Sequence, residues 1–120
     1  MNTILVVEDE QDIRMALQLY LESEGYQVQT ASNGQEALEA LTKQGLPNLI
    51  LLDMKMPVMN GWEFAKVFNA HYDHQVPIVV MSAAVDAESR ASEIQAEGWM
   101  GKPFELDDLK QKIQSLTQGH

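Results

Sequence analysis

Leu49-Ile50-Leu51-Leu52-Asp53-Met54-Lys55-Met56-Pro57 sets four unbroken apolar residues directly before an aspartate. A run of that length with no polar alternation suits a strand covered on both faces, as in a parallel sheet. Two similar runs flank it in the chain: Ile4–Val7 and the stretch Val76–Met81. Gln27–Thr30 alternates, which fits an edge strand, and Trp99–Met100 is too short to assign alone. Between the runs lie segments of helical period. Ile13, Ala16, Leu17, Tyr20 and Leu21 follow i, i+3, i+4 spacing, and Gly25 supplies a stop. Ala37, Leu38 and Leu41 mark a second helix that ends near Gly45 and Pro47. Trp62–Phe68 gives a third helix, Ala87, Ala91 and Ile94 a weak fourth, and Leu106, Leu109, Ile113 and Leu116 a fifth. Five strands alternating with five helices predict a doubly wound α/β domain with right-handed crossovers and helices on both faces.

Such folds bind ligands beyond the carboxyl ends of their strands. The residues there are Glu8-Asp9-Glu10 after the first strand, Asp53 after the third, Ser82 after the fourth and Lys102 after the fifth. A parallel sheet draws them to one edge. Carboxylates packed that closely cannot all stay ionised without positive charge. Lys102 supplies one unit, and a divalent cation supplies the rest. All-oxygen ligation suits Mg²⁺. Mg²⁺ beside a lysine is a setting for a phosphoryl group, which Ser82 and Lys102 can bind as hydrogen-bond donors. A central carboxylate can itself be the nucleophile and form an acyl phosphate.

The 120 residues carry 18 Asp+Glu against 8 Lys+Arg, a net charge of −10. That field repels nucleic acid and anionic membrane surfaces. Cysteine is absent, which removes disulfides, thiol catalysis and cysteine-held metals. The amino-terminal residues do not read as a signal peptide, no apolar run reaches a membrane span, and the expected location is the cytoplasm.

Glu8-Asp9, Asp53 with Met56-Pro57 and Gly61, Ser82-Ala83, and Lys102-Pro103-Phe104, in that order, resemble the receiver domain of two-component response regulators. The resemblance runs from Ile4 to about Leu116, and residues 1–120 read as one such domain. It implies a flavodoxin-like fold with strand order 2-1-3-4-5. It implies that Asp53 accepts a phosphoryl group from a histidine kinase or phosphotransfer protein. Glu8, Asp9, Asp53 and the backbone carbonyl of Lys55 then hold Mg²⁺, with Mn²⁺ as a substitute. Lys102 pairs with the phosphoryl group, Ser82 turns toward it, and Trp99 moves inward. Pro57, Gly61 and Pro103 are structural, and the Lys102-Pro103 bond is cis. The output face is the fourth helix, fifth strand and fifth helix. It meets an effector protein or a fused effector domain missing here, as a monomer or a phosphorylation-driven dimer. Such a chain is not a conventional enzyme but catalyses its own phosphorylation and dephosphorylation. Lys55 is expected to slow loss of the phosphoryl group by hindering the attacking water. Gln95 stands where the family usually has glycine, and Trp99 where it has a smaller aromatic.

Each site residue also has an ordinary reading. Acids favour a helix start, Asp53 fits a turn, Ser82 a cap and Lys102 the surface. Those readings do not explain why all four fall at strand ends. A phosphatase of the haloacid dehalogenase type needs a second Asp where Lys55 stands. A flavodoxin-type carrier of flavin mononucleotide needs a phosphate loop where Glu8-Asp9-Glu10 would repel it. Neither G-x-x-x-x-G-K nor G-x-G-x-x-G occurs, and Met81-Ser82-Ala83 is no nucleophile elbow. The remaining alternative is a degenerate receiver that acts without phosphorylation, as a protein-interaction module. His71 and His74 read as loop residues, the methionines near Asp53 as core filling, and Met15 and Leu19 as either kinase contacts or core.

Overall fold

The computed structural model describes residues 2–117. Met1 and residues 118–120, the ends of the expected 1–120 domain, lie outside the described residues. The chain alternates β1 (Thr3–Val7), α1 (Gln11–Ser23), β2 (Gln27–Ala31), α2 (Gly34–Gln44), β3 (Leu49–Asp53), α3 (Gly61–Tyr72), β4 (Ile78–Ala83), α4 (Ala87–Ile94), β5 (Gly98–Lys102) and α5 (Leu106–Thr117). The strands form one parallel sheet in the order β2-β1-β3-β4-β5, as expected.

The unbroken apolar runs are explained by this sheet. Alternate residues of one strand face opposite sides. Leu5, Val7, Ile50, Leu52, Ile78 and Val80 face one core with α2, α3 and α4, where Leu41, Phe64, Phe68 and Ile94 meet them. Ile4, Val6, Leu49, Leu51, Val79 and Met81 face the other, against Leu17 and Leu21 of α1 and Leu109 and Ile113 of α5. Phe64 and Leu51 are fully buried, so truncation to alanine would cost about 3–5 kcal/mol at Phe64 and about 2–5 kcal/mol at Leu51. β2 lies at an edge, as expected, and only Ala31 of its five residues is buried.

Local signals fix the helix ends. Asn33 caps α2 by accepting from the Glu36 amide, and Asn60 and Glu63 form a reciprocal capping box on α3. Gly25 and Gly45 close α1 and α2 at φ +95° and +85°. Gln95 ends α4 in the left-handed region at φ 58°, so the turn keeps a glycine-like backbone without the glycine.

Two expectations shift. β4 starts at Ile78 rather than Val76, because Pro77 has no N–H to give to a ladder; its carbonyl instead accepts from Ile50 at 3.0 Å. His71 lies in the last turn of α3, not in a loop, while His74 follows the helix and stands 3.4 Å from Glu97.

Candidate acidic phosphoacceptor site

The register of the sheet assembles the site. Val7 pairs with Leu52, Asp53 with Met81, Ser82 with Gly101 and Ala83 with Lys102. Asp53, Ser82 and Lys102 are therefore the last residues of their strands, or nearly so, rather than the first residues beyond them. Glu8 and Asp9 follow β1 directly. Single carboxylate oxygens of Glu8, Asp9 and Asp53 all lie within 4.8 Å of one another.

Glu8 has no exposed surface, and both of its oxygens are engaged. Oε1 accepts from Lys102 Nζ at 3.0 Å and Oε2 from the Glu10 amide at 3.2 Å. Lys102 Nζ is 3.8 Å from Asp53 Oδ1. Burial resists the ammonium, but the Glu8 hydrogen bond and the Asp53 charge outweigh it and raise the Lys102 pKa. The Asp53 side chain is 13% exposed, and its pKa is raised as well, which in a carboxylate favours the neutral form. Burial first, and the Glu8 charge second, lift its pKa to about 7 despite Lys102. Three carboxylates against one ammonium leave a net negative formal charge at the site. The donor set is oxygen only, and the chemistry fits one hard divalent cation.

The loop after β3 is built on close approach. Gly61 N–H donates to the Met54 carbonyl at 2.9 Å, and a Cβ on Gly61 would lie 2.8 Å from Met54 Cα. Pro57 accepts from the Met59 amide at 2.7 Å, closing a γ-turn on Val58 at φ 67°. Lys55 is exposed. Gly101 admits no side chain, since its Cβ would come 2.6 Å from Ala84 Cα. The Lys102-Pro103 peptide is cis.

Not every candidate joins the cluster. Trp99 is 41% exposed and lies under Lys112, whose Nζ is 5.7 Å from the ring centroid. Met15 and Leu19 also point outward, at 48% and 66% exposure, so the core reading of that pair falls. Met54 and Met81 are fully buried, as core filling requires. Trp62 does more than pack. Its Nε1 donates to Glu93 at 2.8 Å and Arg90 sits 5.0 Å over its ring, which ties α3 to α4. Sequence reasoning missed Arg14, whose guanidinium reaches the Glu8 carbonyl at 2.8 Å. A lone arginine beside an apolar stripe gives no local signal of such a contact.

A doubly wound parallel sheet with three carboxylates and a lysine at the carboxyl ends of its strands defines the class of α/β domains that hold their ligands at that edge. The sequence pattern of the response regulator receiver domain matches residues 4–114, and the chain belongs to that family of two-component receivers. It is 36% identical over 112 residues to sporulation initiation phosphotransferase F of Bacillus subtilis, covering 92% of this chain and 89% of that protein. It is 39% identical over 118 residues to response regulator RR06 of Streptococcus pneumoniae, covering 96% of this chain but 52% of that protein. The chain spans about half the length of this and other curated regulators that it matches. Among solved structures, it superposes on the signal receiver domain of a signal transduction histidine kinase from Syntrophus aciditrophicus, with TM-score 0.89 and 29% identity. That match covers 99% of this chain and 92% of that one. TrrA of Thermotoga maritima, solved in complex with Mg(2+)-BeF, matches with TM-score 0.85 and 36% identity over 97% and 99% of the two chains. No helix among the described residues is long and apolar enough to cross a membrane.

Proposed function

We propose that this receiver is a phosphoacceptor switch in which Asp53 takes a phosphoryl group from the phosphohistidine of a histidine kinase or phosphotransfer protein. The observation that carries the reading is the three-carboxylate cluster with Lys102 set against it. An ionised Asp53 oxygen attacks phosphorus. The phosphorus–nitrogen bond of the donor breaks, and the imidazole nitrogen leaves with the electron pair. Glu8, Asp9, Asp53 and the Lys55 carbonyl would hold Mg²⁺, or Mn²⁺ in its place, which would supply charge that keeps Asp53 ionised and offsets the phosphoryl oxygens. Its presence in the TrrA complex supports this choice of ion. Lys102 moves its hydrogen bonding from Glu8 toward the new phosphoryl oxygen, and the Ser82 hydroxyl donates to another.

The phosphoryl group then biases a two-state equilibrium of α4, β5 and α5. Trp99 turns inward from its exposed position, and the altered face meets an effector protein or a fused effector domain. Water later attacks the acyl phosphate, so the chain resets itself. The net charge of −10 keeps this domain off nucleic acid. The reading places the domain in the cytoplasm, beside its kinase.

Incubation with a small acyl phosphate donor and Mg²⁺, followed by intact mass, tests the proposal. One phosphoryl group should be gained and then lost as the adduct hydrolyses, and Asp53→Asn should gain none. No gain, or the same gain in Asp53→Asn, removes it.

A further inference from the structure

The loop between β1 and α1 carries two of the three clustered carboxylates, and it belongs to neither element. It is pinned from both sides. The Glu8 amide donates to Ala31 of β2 at 3.0 Å. Arg14, in the first turns of α1, reaches back over the loop. Its Nη1 donates to the Glu8 carbonyl at 2.8 Å and contacts the Asp9 carbonyl at 3.4 Å. The Arg14 amide meanwhile donates to Glu10 at 2.9 Å, which starts the helix. One residue thus grips the two peptide units that bear Glu8 and Asp9, and its backbone fixes the next.

We infer that Arg14 is a positioning residue for the divalent cation: it holds the Glu8 and Asp9 peptides so that their side chains stay gathered on Asp53. This rests on the Mg²⁺ site of the proposed function. Two effects of Arg14 can be separated because they have opposite signs. Its positive charge, close to the site, opposes a cation by simple repulsion. Its hydrogen bonds order the ligands before the cation arrives, which favours binding by removing conformational freedom that binding would otherwise have to remove. If charge dominated, deleting Arg14 would tighten Mg²⁺ binding. If positioning dominates, deletion weakens it. Both contacts come from one nitrogen, Nη1, whose hydrogens are fixed in the guanidinium plane, whereas a lysine ammonium turns freely on a flexible stem.

The test measures Mg²⁺ affinity by calorimetry on wild type, Arg14→Ala and Arg14→Lys, with the metal-free thermal midpoint of each recorded beside it. Arg14→Ala should bind Mg²⁺ about tenfold more weakly, a usual effect of losing a group that orients metal ligands. Arg14→Lys keeps the charge and should still weaken binding several-fold. It also carries the test if Arg14→Ala does not fold. A merely structural role would lower the metal-free midpoint and leave the affinity alone. Unchanged or tighter binding in Arg14→Ala, or wild-type affinity in Arg14→Lys, overturns the inference. Failure of the wild type itself to take up Mg²⁺ is a different result, and it overturns the cation site as well.

Discussion

Lys102 Nζ sits 3.0 Å from Glu8 Oε1, joining residues 94 apart in the chain through a carboxylate that has no exposed surface. The ammonium therefore belongs first to Glu8 and only second to Asp53, at 3.8 Å. Removing it would leave Glu8 buried with one amide donor as compensation. Lys102→Met is predicted to destabilise the metal-free domain by about 3 kcal/mol, the low end for breaking a buried pair because Lys102 is itself partly exposed. Mg²⁺ should narrow the gap. Urea unfolding at neutral pH, with and without millimolar Mg²⁺, measures both effects.

Asp53 should make the metal-free domain weaken as pH rises. Its folded pKa of about 7 lies above the ordinary 3.8, so the folded chain holds this proton more tightly than the unfolded one. The associated stability is present in full below about pH 4 and is lost as pH rises to about 7. Lys102 adds no slope in that window, since its already high pKa is raised further. Asp53→Asn should stabilise the metal-free domain at neutral pH, on the order of a few kcal/mol at most, and flatten the slope. Thermal midpoints across this range, for wild type and Asp53→Asn, check the sign. Saturating Mg²⁺ should flatten the wild-type profile too.

Val58 holds a left-handed backbone at φ 67° while 81% of its surface is exposed. A β-branched residue is strained there and gains little from packing. Val58→Gly should raise stability by about 0.5–1 kcal/mol, the strain relieved exceeding the added freedom of the unfolded chain. Val58→Ala, which keeps the strain, should change it less. Denaturant midpoints for the three proteins decide the matter.

Lys55 stands two residues past Asp53 with its side chain exposed. If it hinders the water that attacks the acyl phosphate, Lys55→Ala should lose its phosphoryl group several times faster than wild type. Decay of the phosphorylated mass over time gives the rate. An unchanged or slower rate sinks the idea.

The architecture was legible because Ile4–Val7 and Leu49–Leu52 are apolar on both faces, and only a covered parallel strand needs that. Asp53 was legible for the same reason, as the charge that ends such a run. β5 was not. Gly98 and Gly101 flank its two large residues, and it becomes a strand through pairing with β4 and through the close approach of Gly101 to Ala84. Both are contacts that no local pattern encodes. Trp99 gave an aromatic where the family resemblance wants one, but only packing shows that it lies outward under Lys112. Arg14 and the Trp62–Glu93 bond stayed hidden for a related reason. The Trp62–Glu93 bond joins helices whose distance is set by the whole fold, while Arg14 reaches a loop only six residues back, and surface polar residues carry no period that marks a partner.

The sheet also works as a partition. Leu5 and Leu51, though on neighbouring strands, belong to separate half-cores, one roofed by α2, α3 and α4 and the other by α1 and α5. Close packing makes neighbours within one half-core answer to each other's volume, whereas residues without shared partners vary nearly independently. A lineage can therefore remodel the α1 and α5 side, where Met15 and Leu19 stand exposed, without repacking the side that carries α4. In this architecture, inheritance acts on two ledgers, and a receiver can change its company on one flank while its opposite flank stays as it was.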